Sequence, residues 1–105
     1  MFKGCKLESV NFRASLFTDV AFEDCVLRDV DWTGSALTGV RFGGSALRGA
    51  RFGRATLKKA DFRGATELEI ADGYESLKGA IIDTSQLIAI APMLAAALGI
   101  TVMDG

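Results

Sequence analysis

The stretch Val30-Asp31-Trp32-Thr33-Gly34-Ser35-Ala36-Leu37-Thr38-Gly39-Val40-Arg41-Phe42-Gly43-Gly44 places a large apolar residue at 32, 37 and 42. A small or β-branched residue stands two places before each, and a glycine two places after. A spacing of five matches neither the 3.6-residue turn of an α-helix nor the two-residue alternation of a strand. The register extends both ways. The centre positions Phe2, Leu7, Phe12, Phe17, Phe22, Leu27, Trp32, Leu37, Phe42, Leu47, Phe52, Leu57 and Phe62 are all large and apolar. The positions two earlier, from Cys5 and Val10 through Ser35 and Val40 to Ala60 and Ala65, are all small or β-branched. The other three places in each unit are mostly polar, charged or glycine.

Two inward side chains in every five residues require a chain that turns a corner in every unit. Glycines at 4, 34, 39, 44, 49 and 64 suit such corners, which need unusual backbone angles or close approach. Four sides close a square coil of 20 residues, and successive coils stack about 4.8 Å apart through backbone hydrogen bonds. Residues 20 apart agree with a four-sided coil. Phe2, Phe22, Phe42 and Phe62 are all phenylalanine, Leu7, Leu27 and Leu47 all leucine, and Phe12, Trp32 and Phe52 all aromatic. A three-sided coil does not predict this match.

The pattern small-x-Leu/Phe-x-Gly resembles the pentapeptide repeat family, over residues 2–65 and twelve complete units. The Asp or Asn usual in that family before the centre stands only at Asn11, Asp31 and Asp61. The resemblance implies an all-β solenoid, a right-handed quadrilateral β-helix of about three coils here, with a C-terminal α-helical cap. It is similar to the C-terminal part of the quinolone-resistance, gyrase-interacting members, in which an apolar C-terminal helix dimerises.

The register fails at Glu67 and Asp72 and returns at Leu77, Ala80 and Ile82. Three segments are therefore expected: a β-helix over 1–65, an excursion and return over 66–82 in which 66–76 leaves the coil, and a helical cap and dimerisation segment over 83–105. Asp83-Thr84-Ser85-Gln86 is a helix start, with an acceptor side chain and a Gln three places on. Pro92 predicts two helices, about 84–90 and 92–98, with Gly99 as the stop and 100–103 extended. The uncharged run from Thr84 to Met103 is as long as a membrane span. Pro92, Gly99, its polar groups and the lack of flanking basic residues argue instead for a buried or dimer-forming helix. Ile88, Met93, Leu94, Leu98 and Ile100 cannot all face one coil end, and they are the expected homodimer interface.

The net charge of −1 hides three blocks. Residues 1–40 carry 4 basic and 6 acidic groups, residues 41–65 carry 7 and 1, and residues 66–105 carry 1 and 6. Histidine is absent, which removes the commonest general base and metal ligand. Cys5 and Cys25 are 20 apart and stack on one side, but two sulfurs make a poor zinc site. Ser15, Ser35 and Ser45 share their inward class. No catalytic, cofactor-binding or metal residue is assigned, and no enzyme is expected. Two cysteines with no secretory leader favour a cytoplasmic setting.

The basic group Arg41, Arg48, Arg51, Arg54, Lys58, Lys59 and Arg63 wraps around the last coil while the aromatics lie inside. Direct nucleic-acid binding is therefore disfavoured. The outward places of the fourth side, Leu16, Thr18, Ala36, Thr38, Thr56 and Lys58, form a nearly uncharged strip. The expected function is a non-catalytic interaction module of unspecified partner. The alternative implied by the resemblance is a DNA gyrase-binding, DNA-mimicking quinolone-resistance protein. The repeats weigh against mimicry, because they carry 11 basic and 7 acidic groups.

Overall fold

The computed structural model describes all 105 residues. Its strands are short: β1 (Phe2–Lys3), β2 (Lys6–Glu8), β3 (Leu16–Thr18), β4 (Phe22–Glu23), β5 (Val26–Arg28), β6 (Ala36–Thr38), β7 (Ala46–Arg51) and β8 (Glu67–Asp72). Every pairing is parallel. Phe2 lies on Phe22, Leu7 on Leu27, Phe17 on Leu37 and Leu27 on Leu47, each 20 residues apart. Bridges between Asn11, Asp31 and Arg51 carry the third side, and the row Ala21, Arg41, Asp61 and Ile81 runs up the first. The chain is a right-handed four-sided β-solenoid of about four turns with one C-terminal helix.

The corners explain the period of five. Every fifth residue from Gly4 to Gly64 has a positive φ, between 52° and 80°. Six of these thirteen corners are glycine; the other seven are Ser9, Ala14, Asp19, Asp24, Asp29, Arg54 and Lys59. Aspartate tolerates this region better than most residues. Where the chain closes a tight turn, the amide two places before the next centre donates to the previous centre's carbonyl, as Ser35 N does to Trp32 O at 2.9 Å.

The centre side chains fill the interior in vertical stacks. Phe2, Phe22, Phe42 and Phe62 are stacked with nearly parallel rings, their centroids 4.9, 5.5 and 4.9 Å apart. Phe12, Trp32 and Phe52 form a second column, at 5.1 and 6.1 Å. Leu27, Leu37, Leu47 and Leu57 are fully buried. In the first turn Phe2 is 39% exposed and Leu7, Phe12 and Phe17 are only partly buried.

Three expectations are corrected. The segment 66–76 does not leave the coil. Glu67–Asp72 is strand β8, paired with β7. One inserted residue moves the pairing to Ala46 with Glu67 and Leu47 with Leu68, so Leu68 takes the inward place due at 67. Ile70 then stacks on Ala50, and Asp72 pairs with Arg51. A slip of one residue turns every side chain to the opposite face, so the five-residue count misread a continuous strand. The fourth coil continues through a 3₁₀ turn at Tyr74–Leu77 to the Asp61–Ile81 bridge, which raises the coil number from three to about four.

The third correction concerns Pro92. A single helix, α1 (Thr84–Ala97), runs through it. Proline removes one amide, the one that would bond Ile88 O, and Ile88 lies on the solvent side, where water can serve that carbonyl. Asp83 caps the start. Its side chain accepts from Gln86 N at 2.8 Å, and Gln86 Oε1 accepts from Asp83 N at 2.9 Å. Gly99, at φ 70°, ends the helix, with Ile100 N donating to Ala95 O at 2.7 Å. No helix is long and apolar enough to cross a membrane.

Candidate interaction surfaces

The inward small residues are connectors between coils. Ser45 Oγ accepts from Cys25 N at 3.1 Å and donates to Phe22 O at 2.7 Å. Ser35 Oγ accepts from Ser15 N at 3.1 Å and donates to Phe12 O. Cys25 Sγ occupies the same place, 3.3 Å from Cys5 N and 3.4 Å from Phe2 O. Burial pushes the Cys25 thiol up, away from the reactive thiolate. Cys5, in the first coil, is only partly buried, so the two thiols are not equivalent. No group of three or more His, Cys, Asp or Glu is placed to hold a metal ion.

Charges pair along the solenoid's faces. Arg48 Nε donates to Glu67 Oε2 at 2.5 Å and Arg48 Nη2 to Oε1 at 3.0 Å, so part of the basic belt meets the acidic fourth coil. Arg63 makes a bidentate contact with Asp61 at 3.0 and 2.8 Å. That hydrogen bond holds the Asp61 carboxyl below its usual range, and Arg48 does the same for Glu67. At Asp31 burial pulls upward, but hydrogen bonds from Thr33 and the nearby Arg13 prevail and hold it low. The structure does bring the uncharged strip together. Leu16, Ala36 and Thr56 form one row, with Thr18 beside Thr38 in the next.

The most apolar exposed surface belongs to α1. Gln86, Ile90 and Leu94, spaced by four, face the coil. Gln86 Nε2 donates to Phe62 O at 2.6 Å, and Ile90 is the helix's single buried residue. Leu94 sits in a groove against Leu77 and Ile82, so of the five residues assigned to the dimer it turns toward its own coil. Ile88 is 70% exposed and Leu98 62%, and Met93 and Ile100 are also exposed. Leu87, Val102 and Met103 extend this surface. The sequence reading missed them, and missed Ile90 as the anchor, because the helix is apolar on most sides and periodicity has no polar face to count from.

Fold and surface thus define a β-solenoid closed at one end by an apolar helix. A family model described as "Pentapeptide repeat region" matches residues 1–62, and the chain belongs to the pentapeptide repeat family. Among solved structures, it is similar to a pentapeptide repeat protein of the Arabidopsis thaliana thylakoid lumen, with 19% identity over 85% of this chain and 76% of that one, and a TM-score of 0.41. The pentapeptide repeat protein Rfr23 of the cyanobacterium Cyanothece 51142 is 18% identical over 78% of this chain and 86% of its own, with a TM-score of 0.21. QnrB1, a plasmid-mediated fluoroquinolone resistance protein, is 14% identical over 96% and 89%, with a TM-score of 0.25. No curated protein matches the chain in sequence.

Proposed function

We propose that this chain is a non-catalytic interaction module that pairs with a second copy of itself through α1. The observation that carries this reading is a fourteen-residue helix with one buried side chain, Ile90. Leu87, Ile88 and Leu98 are left in water. At about 25 cal/mol per Å² of apolar surface, covering them favours association, and a twofold contact between identical helices is the commonest way to do so. Light scattering at micromolar concentration tests it. A dimer mass that falls to a monomer with Ile88→Glu is expected; a monomer at that concentration would show that α1 serves only its own coil. The unpaired thiols of Cys5 and Cys25 suit the reducing cytoplasmic setting we assign to it.

The charge distribution disfavours the gyrase-binding alternative. Duplex DNA carries one negative charge per about 1.7 Å of axis. Residues 1–65 carry 11 basic against 7 acidic groups, the opposite sign. A gyrase supercoiling assay with and without quinolone separates the readings. No protection is expected, and restored supercoiling in the presence of the drug would favour the alternative.

A further inference from the structure

Strand β8 ends the sheet β2-β5-β7-β8, so one edge of its backbone has no strand beside it. Helix α1 does not lie flat on that edge. A cleft of about 550 Å³ separates them, with Leu68, Ile90 and Met93 among its apolar walls and Glu67, Glu69 and Asp83 at its rim. We propose that this cleft accepts an extended basic segment of a partner protein as a further strand on the β8 edge.

Unpaired edges are templates for strand addition, in which main-chain hydrogen bonds supply affinity and alternate side chains supply specificity. The volume lies in the range of ligand-binding clefts. β8 has six residues, so a segment of about four to six residues at roughly 3.3 Å each can lie along it. The charge selects the segment. Glu67 shares Arg48, whereas Glu69 is exposed and makes no ion pair, and Asp83 gives one oxygen to the α1 cap. Opposite charges across adjacent strands stabilise, and like charges destabilise. Lys or Arg at alternate places therefore meets Glu67 and Glu69, with β-branched residues between them against Leu68, Ile90 and Met93. The chain's own residues 100–103 have suitable apolar side chains but are followed by Asp104, which the acidic rim repels.

The test is a titration of the full chain with acetyl-Lys-Val-Lys-Val-Lys-amide, read by amide NMR and calorimetry. Shifts concentrated on Glu67–Asp72 and the facing side of α1 are expected. Methylating both valine amides keeps the charge but removes ladder bonds, and should weaken binding about tenfold or more. Glu69→Lys, at unchanged melting temperature, should also weaken it about tenfold. Should that variant fail to fold, Glu69→Gln should still give a loss of about threefold. The acidic counterpart acetyl-Glu-Val-Glu-Val-Glu-amide should not bind. Equal affinity of the methylated peptide, shifts on another face, or no binding at millimolar peptide would overturn the proposal. It rests on the chain being an interaction module, but the dimer mass is read separately, so the two ideas fail separately.

Discussion

Ser45 joins two coils by accepting one hydrogen bond and donating another, and a buried connector of this kind has a definite energetic signature. Ser45→Ala leaves Cys25 N and Phe22 O without their partner inside a dry core, which should cost about 1–3 kcal/mol. Ser45→Cys should retain most of the stability, since Cys25 already fills this role one coil earlier. Chemical denaturation of the three proteins checks the order. Glycine is demanded most strongly at Gly73. At φ 92° a Cβ would fall on the backbone of Phe52 and Gly53, which cannot move without breaking the coil. Gly73→Ala should cost above about 3 kcal/mol, and a melting temperature close to the wild type would show that the fourth coil is not seated on the third. By contrast, Gly34 has open space around its Cβ, so there only φ opposes substitution. At Gly39, Gly44 and Gly49 the carboxylates of Asp19, Asp24 and Asp29 on the preceding coil occupy the space a Cβ would need.

At the level of the element, α1 is attached to the solenoid by few groups. Gln86 has two tasks: its Oε1 completes the cap with Asp83 N, and its Nε2 bonds Phe62 O at the coil end. Gln86→Glu keeps the cap acceptor and loses the donor to Phe62 O; Gln86→Ala loses both. Helix content by circular dichroism should therefore fall in the alanine variant and hold in the glutamate one. Protection of the α1 amides from hydrogen exchange should fall in both. A cap is worth about 1 kcal/mol, so both effects are measurable. An alanine variant with full protection would assign the attachment to Ile90 and Leu94 alone.

Across the whole molecule, the outside carries three ion pairs, Arg13–Asp31, Arg48–Glu67 and Arg63–Asp61. Asp61, Asp31 and Glu67 all titrate below their usual range, through Arg63, Thr33 with Arg13, and Arg48. A carboxylate whose folded pKa is depressed contributes stability above its unfolded pKa, near 4, and loses it as pH falls through the lower folded value. Melting temperature should accordingly be nearly level from about pH 7 to 5 and decline below about pH 4. Asp61→Asn should lessen the acid slope, and an unchanged slope in thermal melts would show that Asp61 makes no contribution. These partners are well exposed on the arginine side, so the effect of each is modest and sensitive to salt.

The solenoid is legible in the sequence because its rule is local and repeated. A large residue every five, a small one two before, and a match at 20 follow from one corner geometry applied thirteen times. The capping box at Asp83–Gln86 is legible for the same reason, since four consecutive residues contain it. The fourth coil is not. Its inserted residue puts Leu68 where the count required Glu67, and only the paired neighbour, Leu47, fixes that register. Nor does the sequence say which side of an all-round apolar helix meets the coil. That choice depends on Phe62 O offering an acceptor to Gln86 and on the coil end receiving Ile90. The cleft along β8 is likewise a product of tertiary structure, because it exists only where an unpaired strand edge and the standing helix leave a space between them.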